Sequence, residues 1–167
     1  SVEQLKKVAK EVLKKDEFVF ITRLNERKAK YLLDIYPNAI FFREANCLVI
    51  GENKNKVKSE KTVAIVSGGS SDLTVSLEVK TSLEIYGITC ETFIDVGVAG
   101  IQRLLSQLEK INKHDLIIVC AGMEGALATV IGGLLPQPII GVPVSVGYGV
   151  SKDGIVALKS MLASCAP

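Results

Sequence analysis

Two side chains in this sequence have neighbours that suit chemistry. Glu124 stands in Ala121-Gly-Met-Glu-Gly-Ala126, a carboxylate between glycines in apolar sequence. Such a carboxylate is either paired or shifts its pKa upward, and a raised pKa is what a general acid/base needs at neutral pH. The competing role is capping of backbone N–H groups. Cys165 stands among small residues in Leu162-Ala-Ser-Cys-Ala-Pro167. A nucleophilic thiol needs access and a lowered pKa; a small buried hydrophobe is the ordinary alternative. Cys47, Cys90 and Cys120 lie within or beside apolar runs and take that ordinary role. The lone histidine, His114 between Lys113 and Asp115, reads as a surface residue.

Three further segments could hold a ligand. Ser67-Gly-Gly-Ser-Ser-Asp72 combines Gly68 and Gly69, which let backbone approach a ligand, with the hydroxyls of Ser67, Ser70 and Ser71. At a helix N-terminus this suits a phosphate. It is neither GxGxxG nor a P-loop, and a turn capped by Ser71 or Asp72 would use the same residues. Asp95-Val-Gly-Val-Ala-Gly100 offers Asp95 to a ribose hydroxyl or ring substituent, with Gly97 beside it. Pro143-Val-Ser-Val-Gly-Tyr-Gly149 offers Ser145 and Tyr148 around Gly147. Gly122 and Met123 complete the candidates beside Glu124.

The elements that must position these residues follow from periodicity. Val2, Leu5, Val8, Ala9, Val12 and Leu13 have helical spacing, with lysines opposite. Phe18 to Ile21 reads as a strand. Asn25 caps a helix ending near Tyr36, before Pro37. Two short strands follow at 39–42 and 47–50, and Gly51 to Glu60 reads as a polar linker. After it come strands at 62–66, 88–94, 116–120 and 138–142. Helices are expected at 73–86, 101–111, 122–133 and 152–164. The alternation predicts an α/β fold: a three-layer, doubly wound parallel sheet behind a small N-terminal α/β appendage, residues 1–57 before a core of 58–167. Every Gly/Ser-rich segment follows a strand, so all converge on the C-terminal sheet edge, where such sheets bind ligands.

Composition excludes several classes. A net charge of +2 gives no case for nucleic acid, although Lys6, Lys7, Lys10, Lys14 and Lys15 crowd the first helix, and Lys54, Lys56, Lys58 and Lys61 a later segment. These read as solvated faces. Four cysteines without a CxxC pair, and one histidine, give no metal site and no disulfide framework. No apolar run approaches the roughly 20 residues of a membrane span. The expectation is a cytoplasmic protein with neither nucleic-acid nor membrane partner.

The segments SGGSSDL (67–73), DVGVAGIQRLL (95–105), AGMEGAL (121–127), PVSVGYGVS (143–151) and MLASCAP (161–167), in this order, resemble the LarB family. That family begins nickel-pincer cofactor synthesis, used in lactate racemase maturation. Its core is similar to the aminoimidazole ribonucleotide carboxylases, a flavodoxin-like fold. The resemblance implies carboxylation of C5 of the pyridinium ring of nicotinic acid adenine dinucleotide, with hydrolysis of its phosphoanhydride. Cys165 would be the thiolate that adds to the ring and Glu124 the base. Residues 67–72 would hold phosphate or ribose, Asp72 and Asp95 would make polar contacts, and the 143–149 loop would close over the ring. It further implies CO2 or bicarbonate as co-substrate, no tightly bound cofactor, Mg2+ or Arg103 at the phosphates, a homo-octamer, and a core that continues past Pro167 by a strand and a helix. The purine-synthesis carboxylases use histidine in their sites; here Met123-Glu124 stands in the corresponding loop. The alternatives are an aminoimidazole ribonucleotide carboxylase or mutase, a non-catalytic dinucleotide-binding domain, and a module that oligomerises through 122–133.

Overall fold

The computed structural model describes residues 1–57 and 59–166; of the residues named above, Lys58 and Pro167 lie outside them. The chain opens with α1 (Val2–Leu13), whose first turn is closed by a capping box: Gln4 N–H donates to Ser1 Oγ at 3.3 Å, and the Ser1 amino group donates to Gln4 Oε1 at 2.8 Å. After β1 (Phe18–Ile21), Asn25 caps α2 (Glu26–Ile35) by accepting from Lys28 N–H at 3.1 Å. With β2 (Ile40–Phe42) and β3 (Cys47–Gly51) these elements form one unit, an antiparallel sheet of order β1-β3-β2. α1 and α2 cover it over a core of Ala9, Leu24, Leu32 and Leu48.

The second unit is a four-stranded parallel sheet of order β5-β4-β6-β7. Its elements are β4 (Thr62–Ser67), α3 (Leu73–Ile85), β5 (Thr89–Phe93), α4 (Ile101–Ile111), β6 (Leu116–Ala121), α5 (Ala126–Leu134), β7 (Ile139–Pro143) and α6 (Ile155–Leu162). Val66, Val119 and Ile117 face Leu104, Ile111, Leu127 and Ile131 of α4 and α5. Ile65, Ile118 and Cys120 face Val75, Val79 and Leu83 of α3. Strands buried on both sides explain their near-continuous Val/Ile runs. The predicted α/β fold with a doubly wound parallel sheet is the one observed. Residues 73–86 also alternate like a strand; burial of Val75, Val79 and Leu83 on a single face makes them helix.

Four expectations need correction. Residues 122–125 are not helical: Gly125 N–H donates to Gly122 O at 2.9 Å, with Met123 at φ 52° and Gly125 at φ 69°, so α5 begins only at Ala126. The last helix is shorter than 152–164, because Lys152 is extended and Asp153 and Gly154 have φ of 64° and 73°; a 3₁₀ segment (Gly149–Gly154) precedes α6. The polar stretch 51–60 is not a free linker. Asn53 is buried, its amide donating to Ile85 O at 3.3 Å, and Val57 N–H donates to Tyr86 O at 2.9 Å. His114 is not a surface residue: its side chain is 10% exposed, stacks edge-on against Phe93 at 5.8 Å, and lies 3.7 Å from Glu91. None of the described helices is long and apolar enough to cross a membrane.

Candidate active site

In the parallel sheet the chain leaves β4 toward β5 on one side and later returns to β6 on the other. The crevice beyond β4 and β6 is therefore the switch point where ligands bind in open α/β sheets. Three turns meet there around a cleft of about 200 Å³, lined by Gly68, Gly69, Ser71, Asp72, Gly97, Val98, Ala99, Gly122, Met123 and Glu124, with Val146 from the loop after β7. The convergence expected of the Gly-rich segments is thus present.

Glycine makes the turns fit one another. A Cβ on Gly97 would stand 2.4 Å from Gly68 O, and one on Gly122 would stand 2.4 Å from Val146 O. No side chain could be added at either position without moving backbone. Asp95 and Met123, both non-glycine, hold positive φ values of 60° and 52° at the mouth of this cleft, the strained backbone that tends to gather at functional sites.

Asp72 occupies the centre. It ends the short 3₁₀ turn Ser70–Asp72 that leads into α3, and it is 4% exposed. Its Oδ2 accepts from Gly69 N–H at 3.0 Å, while its buried Oδ1 has no hydrogen-bond partner. Burial pushes the Asp72 carboxyl above its ordinary value; the N–H groups of Gly69, Gly122 and Gly68 and the Ser71 hydroxyl act in the opposite direction. Beneath it lie Ser67 and Cys120, partners in the β4–β6 ladder. Ser67 Oγ is buried without a partner. Burial pushes the Cys120 thiol up to about 11, with Ser76 opposing and Asp72 adding to the shift, so this sulfur is an inert part of the core.

Glu124 lines the cleft but is exposed, so the burial argued for it from its apolar neighbours is absent. The carboxylate that does have a buried setting is Asp72. Sequence alone does not separate the two, since both stand beside glycines just before an apolar helix. Ser70 is exposed beside the cleft, and Asp95, 3.5 Å from the Arg103 guanidinium, lies at its rim. The loop 143–149 crosses the cleft through Val146; Ser145, Gly147 and Tyr148 are not in its lining, and Tyr148 is 78% exposed. Val98, Ala99 and Val146 line it without having been singled out, since aliphatic side chains carry no chemical signal in sequence.

Cys165 is exposed and stands apart. Its neighbour Ser164 accepts from Thr129 Oγ1 at 2.8 Å, and Ala166 packs against Gly132, which also neighbours Ile139 at the start of β7. α5 runs from the cleft back along the sheet, and Gly132 lies six residues beyond Ala126, roughly 9 Å along the axis. The cysteine therefore sits toward the opposite sheet edge from the cleft. Among the described residues no group of three or more His, Cys, Asp or Glu side chains could hold a metal ion. A wider groove of about 900 Å³ lies between α1, β1 and residues 52–55, lined by Leu5, Val8, Val12, Phe18 and Tyr86 among others. It gathers none of the candidate side chains, and converging polar groups mark a site better than volume does.

The model of the AIR carboxylase family matches residues 62–167, the whole parallel-sheet unit. The chain belongs to the AIR carboxylase family. Its parallel unit is similar to that of a point variant of Treponema denticola PurE2, with 25% identity and a TM-score of 0.53 over 65% of this chain and 69% of that one. Treponema denticola PurE gives a TM-score of 0.54 at 24% identity over the same shares, a likeness of fold. An uncharacterized protein of Methanocaldococcus jannaschii, MJ0165, is 41% identical over 149 residues. The match takes in 88% of this AIR carboxylase family chain and 57% of the relative's length.

Proposed function

We propose that this protein is a carboxylase of the AIR carboxylase family that acts on the pyridinium ring of nicotinic acid adenine dinucleotide, as LarB-like proteins do. The observation that carries the reading is the wall of the cleft. Where the purine carboxylases place histidine, this cleft presents Met123 and Glu124, and the lone His114, just before β6, packs on Phe93 and is not in the cleft lining.

The chemistry follows from the ring. A pyridinium is too electron-poor to attack CO2. Addition of the Cys165 thiolate gives a neutral dienamine in which C5 is nucleophilic. C5 forms the new C–C bond to CO2, and the C5 proton passes to Glu124. The electron pair left at C5 restores the aromatic ring as the thiolate departs. Water then splits the phosphoanhydride, giving pyridinium-3,5-dicarboxylate mononucleotide and AMP. Among the described residues no cluster of His, Cys, Asp or Glu side chains fits Mg2+. Arg103, whose guanidinium packs against Gly100 beside the cleft and lies 3.5 Å from Asp95, would meet a phosphate in this reading.

Two features set conditions on this reading. Binding pockets for drug-sized ligands span roughly 300–1,000 Å³, so a 200 Å³ cleft takes one end of a dinucleotide. Cys165 lies toward the opposite sheet edge from its own cleft; in this reading it serves the cleft of a neighbouring copy, which accords with a proposed homo-octamer.

The test is incubation with nicotinic acid adenine dinucleotide and bicarbonate, with products read by mass spectrometry. Dicarboxylated mononucleotide and AMP are expected from wild type, and neither from Cys165→Ala. The family membership favours a second reading, aminoimidazole ribonucleotide carboxylase or mutase. Turnover of that ribonucleotide, with the dinucleotide untouched, would replace the first reading. Binding of the dinucleotide without turnover would leave a non-catalytic dinucleotide-binding domain.

A further inference from the structure

Asp72 is the most buried ionisable carboxylate of the cleft, and nothing positive answers it. Its surroundings are the backbones of Gly68, Gly69 and Gly122, the hydroxyls of Ser71 and Ser76, and the Cys120 thiol. From the turn after β5, Arg103 is engaged by Asp95. From the turn after β6, the only ionisable group is Glu124, another acid. The loop after β7 brings Val144 and Val146, which carry no charge. Neither a lysine, an arginine nor a histidine acts on Asp72. A carboxylate removed from water without a cation is costly. Yet this one belongs to the lining of the cleft, beside Gly68, Gly69 and Gly122, and its Oδ1 has no hydrogen-bond partner.

We propose that Asp72 is the counter-ion for a cationic ring bound in the cleft, and so the residue that selects a charged pyridinium over a neutral ring. This rests on the substrate proposed above. It goes beyond that reading because it assigns to one residue the discrimination between ring charge states. In the free protein, burial favours the protonated acid. A bound cation favours the carboxylate, so binding releases a proton and strengthens as pH climbs through the titration of free Asp72. When the thiolate adds, the ring loses its positive charge and Asp72 loses its partner; expelling the thiolate restores both. Asp72 therefore favours the aromatic, charged substrate and product over the neutral adduct. An anionic group at the same place would behave oppositely: it would need Asp72 protonated, would bind with proton uptake, and would weaken as pH rises.

The test is calorimetric titration of the protein with nicotinic acid adenine dinucleotide and with its dihydro form, from pH 4.5 to 8, in two buffers of different ionisation enthalpy. The oxidised ring is expected to bind about tenfold more tightly than the reduced ring at pH 8, the factor that accompanies a shift of one pKa unit in Asp72. Proton release should accompany its binding at the lower pH values. In Asp72→Asn the ratio should fall toward one. The wild-type proton count decides the matter even where that variant fails to fold. Equal affinity for the two rings, proton uptake, or an unchanged ratio in Asp72→Asn would overturn the inference. Should neither dinucleotide bind, the proposed substrate is wrong, and N-methylpyridinium chloride at millimolar concentration then decides about Asp72 itself. Binding that Asp72→Asn abolishes upholds the counter-ion, and absence of binding removes it.

Discussion

The two ends of the parallel sheet are built differently. At the N-terminal ends of the strands several polar side chains are paired. Asp115 accepts from Lys61 Nζ at 2.7 Å and from Thr62 N–H at 2.9 Å. The Gln137 amide donates to Asn112 O at 2.7 Å and Asn112 Oδ1 at 3.0 Å, although its Oε1 is buried without a partner. At the C-terminal ends, Ser67 Oγ and Asp72 Oδ1 are buried without partners, Asp95 and Met123 hold left-handed backbone, and glycines stand where any Cβ would collide. Buried polar groups without partners are rare in folded proteins. Among the described residues two of the three such side-chain atoms lie at the cleft, the pattern of a surface shaped for a ligand rather than for stability.

The contrast can be broken from either end. Ile111→Ala, in a fully buried position of α4 toward the N-terminal edge, should cost the most stability, about 2–5 kcal/mol. Urea denaturation should show that loss while ligand affinity in the still-folded fraction is unchanged. Gly122→Ala should cost less, about 1–3 kcal/mol, yet abolish binding, because the new methyl displaces Val146 O from across the cleft. Equal binding by Gly122→Ala and wild type would mean that the ligand lies elsewhere. Asp72→Asn should act through pH. The folded carboxyl binds its proton more tightly than the unfolded one, so wild-type stability falls as pH rises from the ordinary carboxyl value through the raised one. Asparagine does not titrate, and the variant should gain on wild type in paired denaturation curves as pH rises above the ordinary carboxyl value. Asp115→Asn should do least. Its partners hold the Asp115 carboxyl below its ordinary value, so its stabilising effect is present above that value and disappears as pH falls through the lowered one. The side chain is exposed to solvent, and a small drop in Tm at neutral pH that vanishes in acid is expected.

The same contrast explains what the sequence disclosed. The strands and most helices were legible because burial on both faces writes aliphatic runs and apolar stripes directly into the chain. The turns after β4, β5 and β6 were legible because close backbone contact admits only glycine at positions such as 97 and 122. The roles of the two carboxylates were not. Glu124 and Asp72 both sit beside glycines, and their burial depends on which way a turn points, which periodicity does not encode. Helix starts were misjudged at Met123 and Asp153 for a related reason: left-handed backbone at a non-glycine residue has no reliable mark in composition. Cys165 had the small neighbours of an accessible thiol, and it is exposed. Its position away from the cleft follows from the course of α5 and α6, a long-range property.

The ties along residues 51–60 bear on how such a chain can be recombined. Asn53 and Val57 bond to the last residues of α3, Phe18 stacks edge-on against Tyr86, and a Cβ on Gly87 would stand 2.6 Å from Val57 O. A crossover placed in this polar stretch would hand the parallel sheet a foreign front half at the seam where fit is tightest. Chimaeras that carry residues 85–87 along with the front half should fold, and those cut at the apparent linker should not, so the unit of inheritance here is discontinuous in sequence.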